Sequence, residues 1–195
     1  MNKYNLAVVG ATGVVGRTIL KVLEEKNLPI SEYHFLASAK SAGKKIMFNN
    51  TEYIVEELNE KSFVNIQFAI FSAGSEIAKK YAPIAAESGC KVIDNSSAFR
   101  MEKEIPLIVP EVNFDEIKKS DMIIANPNCS TIQAVLALSP LDEAFRIKRV
   151  VYSTYQAVSG AGRNGIIDLE NGIKAFSASQ GMRIIYTSKV SLSNL

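Results

Sequence analysis

Tyr4-Asn5-Leu6-Ala7-Val8-Val9-Gly10-Ala11-Thr12-Gly13-Val14-Val15-Gly16 begins as a short apolar run and breaks into glycines at every third position. Residues 4–9 read as a buried parallel strand, because both faces carry apolar side chains. Beyond the glycines, Leu20, Val22, Leu23 and Leu28 recur at spacings that suit one helix face, which closes near Asn27-Leu28-Pro29. Strand, glycine turn and helix in that order form the context in which a glycine motif points to a dinucleotide. In that reading Gly10 permits the tight turn, Gly13 lets the backbone approach a pyrophosphate, and Gly16 lets the helix pack on the sheet. The spacing is G-x-x-G-x-x-G rather than the commoner G-x-G-x-x-G. A glycine turn without a ligand is the competing reading.

Working outward, Tyr33-His34-Phe35-Leu36-Ala37 reads as the second strand. An NAD site wants Asp or Glu at its end to accept from the ribose 2′-hydroxyl. The sequence offers Ser38-Ala39-Lys40-Ser41-Ala42-Gly43-Lys44 instead. Hydroxyls and cations suit a 2′-phosphate, so NADP is favoured; the alternative is that Lys40 and Lys44 merely solvate a loop. Residues 45–48 and 53–55, around Asn49-Asn50, predict a small hairpin. Residues 66–71 predict a strand closing on Ser72-Ala73-Gly74-Ser75. Residues 77–88 predict a helix kinked or broken at Pro83. Lys91-Val92-Ile93 is a further strand, followed by the polar loop Asp94-Asn95-Ser96-Ser97-Ala98-Phe99-Arg100. Strand ends of an open α/β sheet are where ligands gather, and Arg100 there is a candidate bidentate anion clamp. The bland reading is a solvated loop charge. His34, within a strand, reads as structural and Cys90, just before one, as inert.

Met122-Ile123-Ile124-Ala125 predicts another buried strand, leading into Asn126-Pro127-Asn128-Cys129-Ser130-Thr131. Pro127 bars a continuous helix there, and Asn128, Ser130 and Thr131 are all side chains that can cap a helix start. The run 132–138 then reads as helix, with Pro140 ending or kinking it. Cys129 thus falls on a strand-to-helix turn, where free N–H groups and the helix dipole favour thiolate over thiol. A thiolate so placed is a nucleophile; a small buried cysteine is the alternative. Residues 150–154 read as a β-branched strand running into Tyr155-Gln156-Ala157-Val158-Ser159-Gly160-Ala161-Gly162. The β-α-β order with short loops predicts an α/β, Rossmann-like, doubly wound and mostly parallel sheet. The beginning of a second, α+β domain is expected soon after Cys129.

Composition excludes several classes. With 195 residues, 47% apolar, the chain is too rich in core formers for disorder and long enough for one core plus part of another. A net charge of +2, without basic runs or interleaved aromatics, gives no reason to expect nucleic acid. Apolar runs fall far short of the ~20 residues of a membrane helix, and the first residues carry no secretory pattern. Two distant cysteines form no disulfide framework, so a cytoplasmic location is expected. A single His and no cysteine cluster predict no metal site.

Taken in order, the segments 10–16, 38–44, 72–74, 94–100, Val109-Pro110-Glu111-Val112-Asn113, 126–131 and 153–162 strongly resemble the aspartate-β-semialdehyde dehydrogenase family. Each is weak alone; the ordered series is specific. The N-acetyl-γ-glutamyl-phosphate reductase family shares the architecture, but its cysteine motif usually resembles Pro-Gly-Cys-Tyr-Pro, so 126–131 favours the first. The resemblance implies an NADP-dependent phosphorylating aldehyde dehydrogenase on the route to lysine, threonine and methionine. Its small-molecule substrates would be aspartyl phosphate or the semialdehyde with phosphate. It implies Cys129 as the acylated nucleophile and Gln156 as the residue orienting the acyl group. Arg100 and Asn128 would meet substrate or phosphate. Gly10, Thr12, Gly13, Val14, Val15, Ser38, Lys40, Ser41, Ser72, Gly74, Ser159 and Gly160 would meet the cofactor. It divides the chain into an NADP-binding domain, 1–130, and the start of a catalytic and dimerisation domain, 131–195, and suggests a homodimer or tetramer.

Members of that family are much longer than 195 residues. Their general acid/base His and second substrate Arg lie beyond the part matched here, and His34 cannot substitute from the cofactor half. Residues 182–195 do not resemble the family's continuation. A positioned acid/base is worth about 10²–10⁴-fold, so little turnover is expected of this chain by itself. Its alternative reading is a nucleotide-binding or oligomerising module without catalysis. An interrupted second domain also predicts uncovered apolar faces and self-association.

Overall fold

A computed structural model describes residues 3–177 of the chain. The period-two alternation of the first strand decides the layering. In β1 (Tyr4–Val9), Leu6 and Val8 point to one face and Ala7 and Val9 to the other, all buried. Leu20 and Leu23 of α1 (Val14–Lys26) cover the Leu6/Val8 face together with Phe35 of β2 (Ile30–Ala37). The hairpin β3 (Lys45–Phe48) and β4 (Thr51–Ile54) closes that side. Its Phe48 and Tyr53 rings lie 5.2 and 5.0 Å from Phe35, edge-on, a geometry that adds to plain burial. Asn49 and Asn50 both have positive φ, 47° and 57°, as a two-residue hairpin turn requires.

On the opposite face, Ala78, Ala82 and Ala85 of α2 (Ser75–Glu87) pack on Ala7, Val9, Ala69, Phe71 and Val92. Small side chains on α2 let it lie close to the sheet. The main sheet has the order β5-β2-β1-β6-β7-β8, where β5 is Glu56–Glu57, β6 Phe68–Phe71, β7 Lys91–Asp94 and β8 Ile123–Ala125. Every pairing in it is parallel. The chain winds outward one way from β1 to β2 and then the other way through β6, β7 and β8, so the switch point lies between β1 and β6. This is the expected doubly wound, Rossmann-like α/β sheet. Short α3 (Pro110–Asn113) precedes β8, and α4 (Cys129–Phe145) and α5 (Gly162–Ser177) follow it.

Three local expectations need correction. Residues 150–154 form no strand. β-branched side chains favour extended backbone, but a strand needs a neighbour to pair with, and this segment has none among the described residues. Pro83 does not break α2, and Pro140 does not end α4, which runs on to Phe145. Both prolines are exposed, and the carbonyls they leave without an N–H belong to exposed residues, Lys79 and Leu136. β6 starts at Phe68, not residue 66. The reading of residues 182–195 lies outside the described residues.

Candidate active site

Because all six strands are parallel, their C-terminal ends share one edge, and the loops singled out in the sequence emerge there. The glycine turn leaves β1. Gly10 has φ of +86°, and a Cβ on it would come within 2.5 Å of the Ser72 carbonyl oxygen. Only glycine therefore allows the loops after β1 and β6 to touch at the switch point. A Cβ on buried Gly16 would lie 2.1 Å from the Gly10 oxygen, so glycine there lets α1 start directly under the turn. Gly13 is less constrained, with Gly10 oxygen 3.2 Å from its notional Cβ. It is exposed and stands at the N-cap of α1 with no capping side chain and no acid in the first turn. The Gly13 N–H itself donates to the Gly10 carbonyl at 2.9 Å, while the first-turn N–H groups of α1, which a helix cannot pair internally, can meet an anion. Thr12 is half-buried, and Val14 and Val15 are exposed beside it.

At the end of β2, the Leu36 carbonyl accepts from Gly10 N–H at 2.8 Å, tying that strand to the glycine turn. Ser41 and Ala42 N–H groups both donate to the Ser38 carbonyl, at 2.8 and 3.0 Å, which folds 38–42 into a compact turn. Ser38 and Lys40 are exposed on it, Ser41 is half-buried, and the Lys44 ammonium donates to Ser41 Oγ at 3.4 Å. His34 lies within β2 with Nδ1 3.0 Å from Glu56 Oε1, away from the turn, in keeping with a structural residue. Ser72 and Gly74 follow β6, with Ser72 N–H donating to the Val9 carbonyl at 2.8 Å. Gly74 has φ of +89° and nothing near its open side.

The cysteine turn leaves β8. Asn128 is the N-cap of α4, its Oδ1 accepting from Ser130 N–H at 2.9 Å, and Cys129 is the first helical residue. Cys129 is exposed. Cys90 is its opposite, fully buried with its thiol pKa pushed up to about 12 by loss of water. Arg100 is half-buried and anchored to the same turn. Its Nε–H donates to the Asn126 carbonyl at 2.9 Å and its Nη2 to the Asn95 carbonyl at 3.3 Å. Burial lowers the Arg100 pKa, against the neighbouring Asp94 carboxyl, which raises it. A guanidinium has five N–H donors, so most remain available.

Sequence reasoning missed what holds this arrangement. Asp94 is fully buried and receives Ser96 Oγ–H at 2.7 Å and Ser96 N–H at 3.1 Å. Asn126 Nδ2 donates to Asn95 Oδ1 at 2.6 Å. The available signal was Asp94-Asn95-Ser96 at a strand end, a cluster that favours side-chain-to-backbone turns. Gln156 is not brought to Cys129: it is exposed, and its Nε2 donates to Thr154 Oγ1 at 3.2 Å. Ser159 and Gly160 lie in the 3₁₀ turn Val158–Ala161, next to α5, which itself touches α1. Buried Gly165 allows that packing, since a Cβ there would meet the Val158 oxygen at 2.5 Å.

Among the described residues, no group of three His, Cys, Asp or Glu side chains could hold a metal ion. No helix there is long and apolar enough to cross a membrane.

A parallel sheet with a glycine turn at its switch point and a capped, exposed thiol three strands away defines a dinucleotide-binding α/β domain of the dehydrogenase kind. Residues 5–120 match the family model described as semialdehyde dehydrogenase, NAD binding domain. The chain belongs to the semialdehyde dehydrogenase family. It is 55% identical over 182 residues to an aspartate-semialdehyde dehydrogenase of Aquifex aeolicus, covering 92% of this chain and 54% of that one. The crystal structure of Vibrio cholerae aspartate semialdehyde dehydrogenase II complexed with ASA superposes with a TM-score of 0.89 at 42% identity, over 98% of this chain and 58% of that one. The Candida albicans aspartate semialdehyde dehydrogenase structure with NADP gives 0.64 at 28% identity, over 74% of this chain and 48% of that one. The chain thus spans about half the length of these relatives.

Proposed function

We propose that the chain is the cofactor-binding and nucleophile-bearing part of an NADP-dependent aspartate-semialdehyde dehydrogenase. It would comprise a cofactor domain, 1–130, and the start of a catalytic and dimerisation domain, 131–195. The observation that carries the reading is the exposed, N-capped Cys129 with Arg100 anchored to its turn, on the sheet edge that holds the glycine turn. Cys129 lies three strand spacings from β1, roughly 14 Å at about 4.8 Å per spacing, a gap an extended dinucleotide can bridge.

The residues fit a dinucleotide: glycine at 10 and 16 lets the turn close against Ser72 and under α1. This leaves exposed Gly13, Val14 and Val15 and half-buried Thr12 at an uncapped helix start, with Ser72 and Gly74 across the switch point. Ser38, Lys40 and Ser41 suit a 2′-phosphate, which supports NADP over NAD, as does the NADP of the Candida albicans relative. Ser159 and Gly160, in the 3₁₀ turn packed beside α5, would complete the cofactor site. The nicotinamide, when bound, supplies the hydride.

This chain's residues then act on the acyl group. Arg100 holds the phosphate of aspartyl phosphate, and Asn128 fixes the turn beside it. The Cys129 thiolate attacks the acyl carbon; a carbon–sulfur bond forms and the bond to phosphate breaks, releasing phosphate. With the cofactor bound, its hydride would take the thioester to a thiohemiacetal on Cys129, whose collapse would break the carbon–sulfur bond and return the thiolate with the semialdehyde. Gln156 would orient the acyl group once its segment is brought to Cys129. The free thiol suits a reducing cytoplasm, and the pathway implied leads to lysine, threonine and methionine.

Mass spectrometry after mixing with aspartyl phosphate tests this: one aspartyl adduct is expected, on Cys129, and none in Cys129→Ala. A second reading, a nucleotide-binding module without catalysis, is favoured by the exposed Gln156 bonded to Thr154. It predicts NADPH binding with no adduct at all.

A further inference from the structure

The Arg100 guanidinium is fastened to carbonyls on two different loops, that of Asn95 after β7 and that of Asn126 after β8. The side chains of these same two residues bond each other, Asn126 Nδ2 to Asn95 Oδ1, at 2.6 Å. The loops are thereby closed on one another next to the arginine. Asn126 N–H also donates to the Asp94 carbonyl at 2.8 Å, and Asn95 N–H to Phe71 at 2.9 Å, so the pair is set on the strand ends themselves. Asn126 lies three residues before Cys129. We propose that the Asn95–Asn126 amide pair is a positioning latch that holds the Arg100 guanidinium against the Cys129 turn, aiming its free donors at the anionic part of whatever Cys129 attacks. The latch rests on the reading of Arg100 as an anion clamp and adds to it the two residues that set its place.

Arginine is a long, flexible side chain; left in water it loses little by wandering. Two acceptors on separate loops hold it only while those loops keep their spacing, and the amide pair fixes that spacing. Removing either amide unties the two side chains beyond those backbone anchors, leaving the loop tips free to shift, without touching Arg100 or Cys129.

The test compares two alkylating agents on the chain as it stands. Iodoacetate is anionic and iodoacetamide neutral; in both, the Cys129 thiolate displaces iodide. A correctly placed guanidinium acts on the thiolate in both reactions alike but attracts only the anionic reagent, so the ratio of the two rates isolates that attraction. The ratio of the two rates is expected to fall about fivefold in Arg100→Ala, the effect of one charge a few ångströms away in a water-like medium. It is expected to fall nearly as far in Asn126→Ala and Asn95→Ala, with no further fall when either is combined with Arg100→Ala. Iodoacetamide rates in Asn95→Ala and Asn126→Ala should lie between those of the parent and Arg100→Ala, a pattern that general loosening does not produce. Labelling of buried Cys90 reports unfolding, and the variant that leaves Cys90 unlabelled is then decisive. An unchanged ratio in a folded Asn126→Ala or Asn95→Ala, with Arg100→Ala lowered, overturns the latch and leaves the clamp standing. An unchanged ratio in Arg100→Ala overturns both.

Discussion

At Gly16 a methyl group has nowhere to go: its carbon would sit 2.1 Å from the Gly10 carbonyl oxygen and 3.0 Å from the Ala11 Cα. Both are backbone atoms of a tight turn, so α1 itself would have to move. Gly16→Ala should cost about 1–3 kcal/mol by overpacking, outweighing the roughly 1 kcal/mol that Ala gains over Gly in a helix. Gly172 in α5 has nothing within 4 Å of a notional Cβ, so Gly172→Ala should stabilise by about 0.5–1 kcal/mol. Urea midpoints moving in opposite directions would bear this out; equal shifts would refute the close approach. Asp94 gives the pH dependence. Burial raises its pKa, against Ser96 hydrogen bonds and the Arg100 charge, which lower it. A carboxyl with a raised folded value binds its proton more tightly when folded. Its contribution is therefore fully present below the ordinary Asp value and lost as pH rises through the folded one. Urea stability followed across that window should fall with rising pH in the parent and lose that share of the fall in Asp94→Asn.

Among the elements, α4 rests on its N-cap residue. The Asn128 side chain accepts from Ser130 N–H and so satisfies one of the helix's orphan donors. Asn128→Ala should cost about 1 kcal/mol in thermal or urea unfolding, and Asn128→Ser should recover most of it. That cap was legible in the sequence because capping is local, as were the glycine turn and the Asn49-Asn50 hairpin. Strands β1, β2, β6, β7 and β8 were legible because buried parallel strands announce themselves as apolar runs, whereas the exposed edge strand β5, Glu56–Glu57, carries no such run. Residues 150–154 misled because strand propensity is only realised against a partner, and partners are set by the rest of the fold. Of the readings at the two prolines, a break at Pro83 and a stop at Pro140 did not occur, because a proline's cost depends on whether its orphaned carbonyl can reach water, which spacing does not reveal. The Asn95–Asn126 bond spans 31 residues of sequence, and no pattern within either loop predicts the other.

For the whole molecule, the two faces of the sheet are well covered, whereas the part after β8 is not. Phe145, Val151 and Tyr155 are 78%, 73% and 106% exposed, and no residue of α4 is buried. Apolar surface of that kind seeks a partner. Sedimentation should show mass rising with concentration, and Phe145→Lys with Val151→Lys should reduce it; a monomer at all concentrations would contradict this. The central claim is that the Cys129 sulfur and a nicotinamide cofactor share the C-terminal edge of one parallel sheet. The most direct measurement is the rate of Cys129 alkylation by iodoacetamide as NADPH is titrated. The account predicts a rate that falls and saturates as the cofactor site fills, with the effect lost in Gly16→Ala. Cofactor binding that leaves the Cys129 rate unchanged would contradict it.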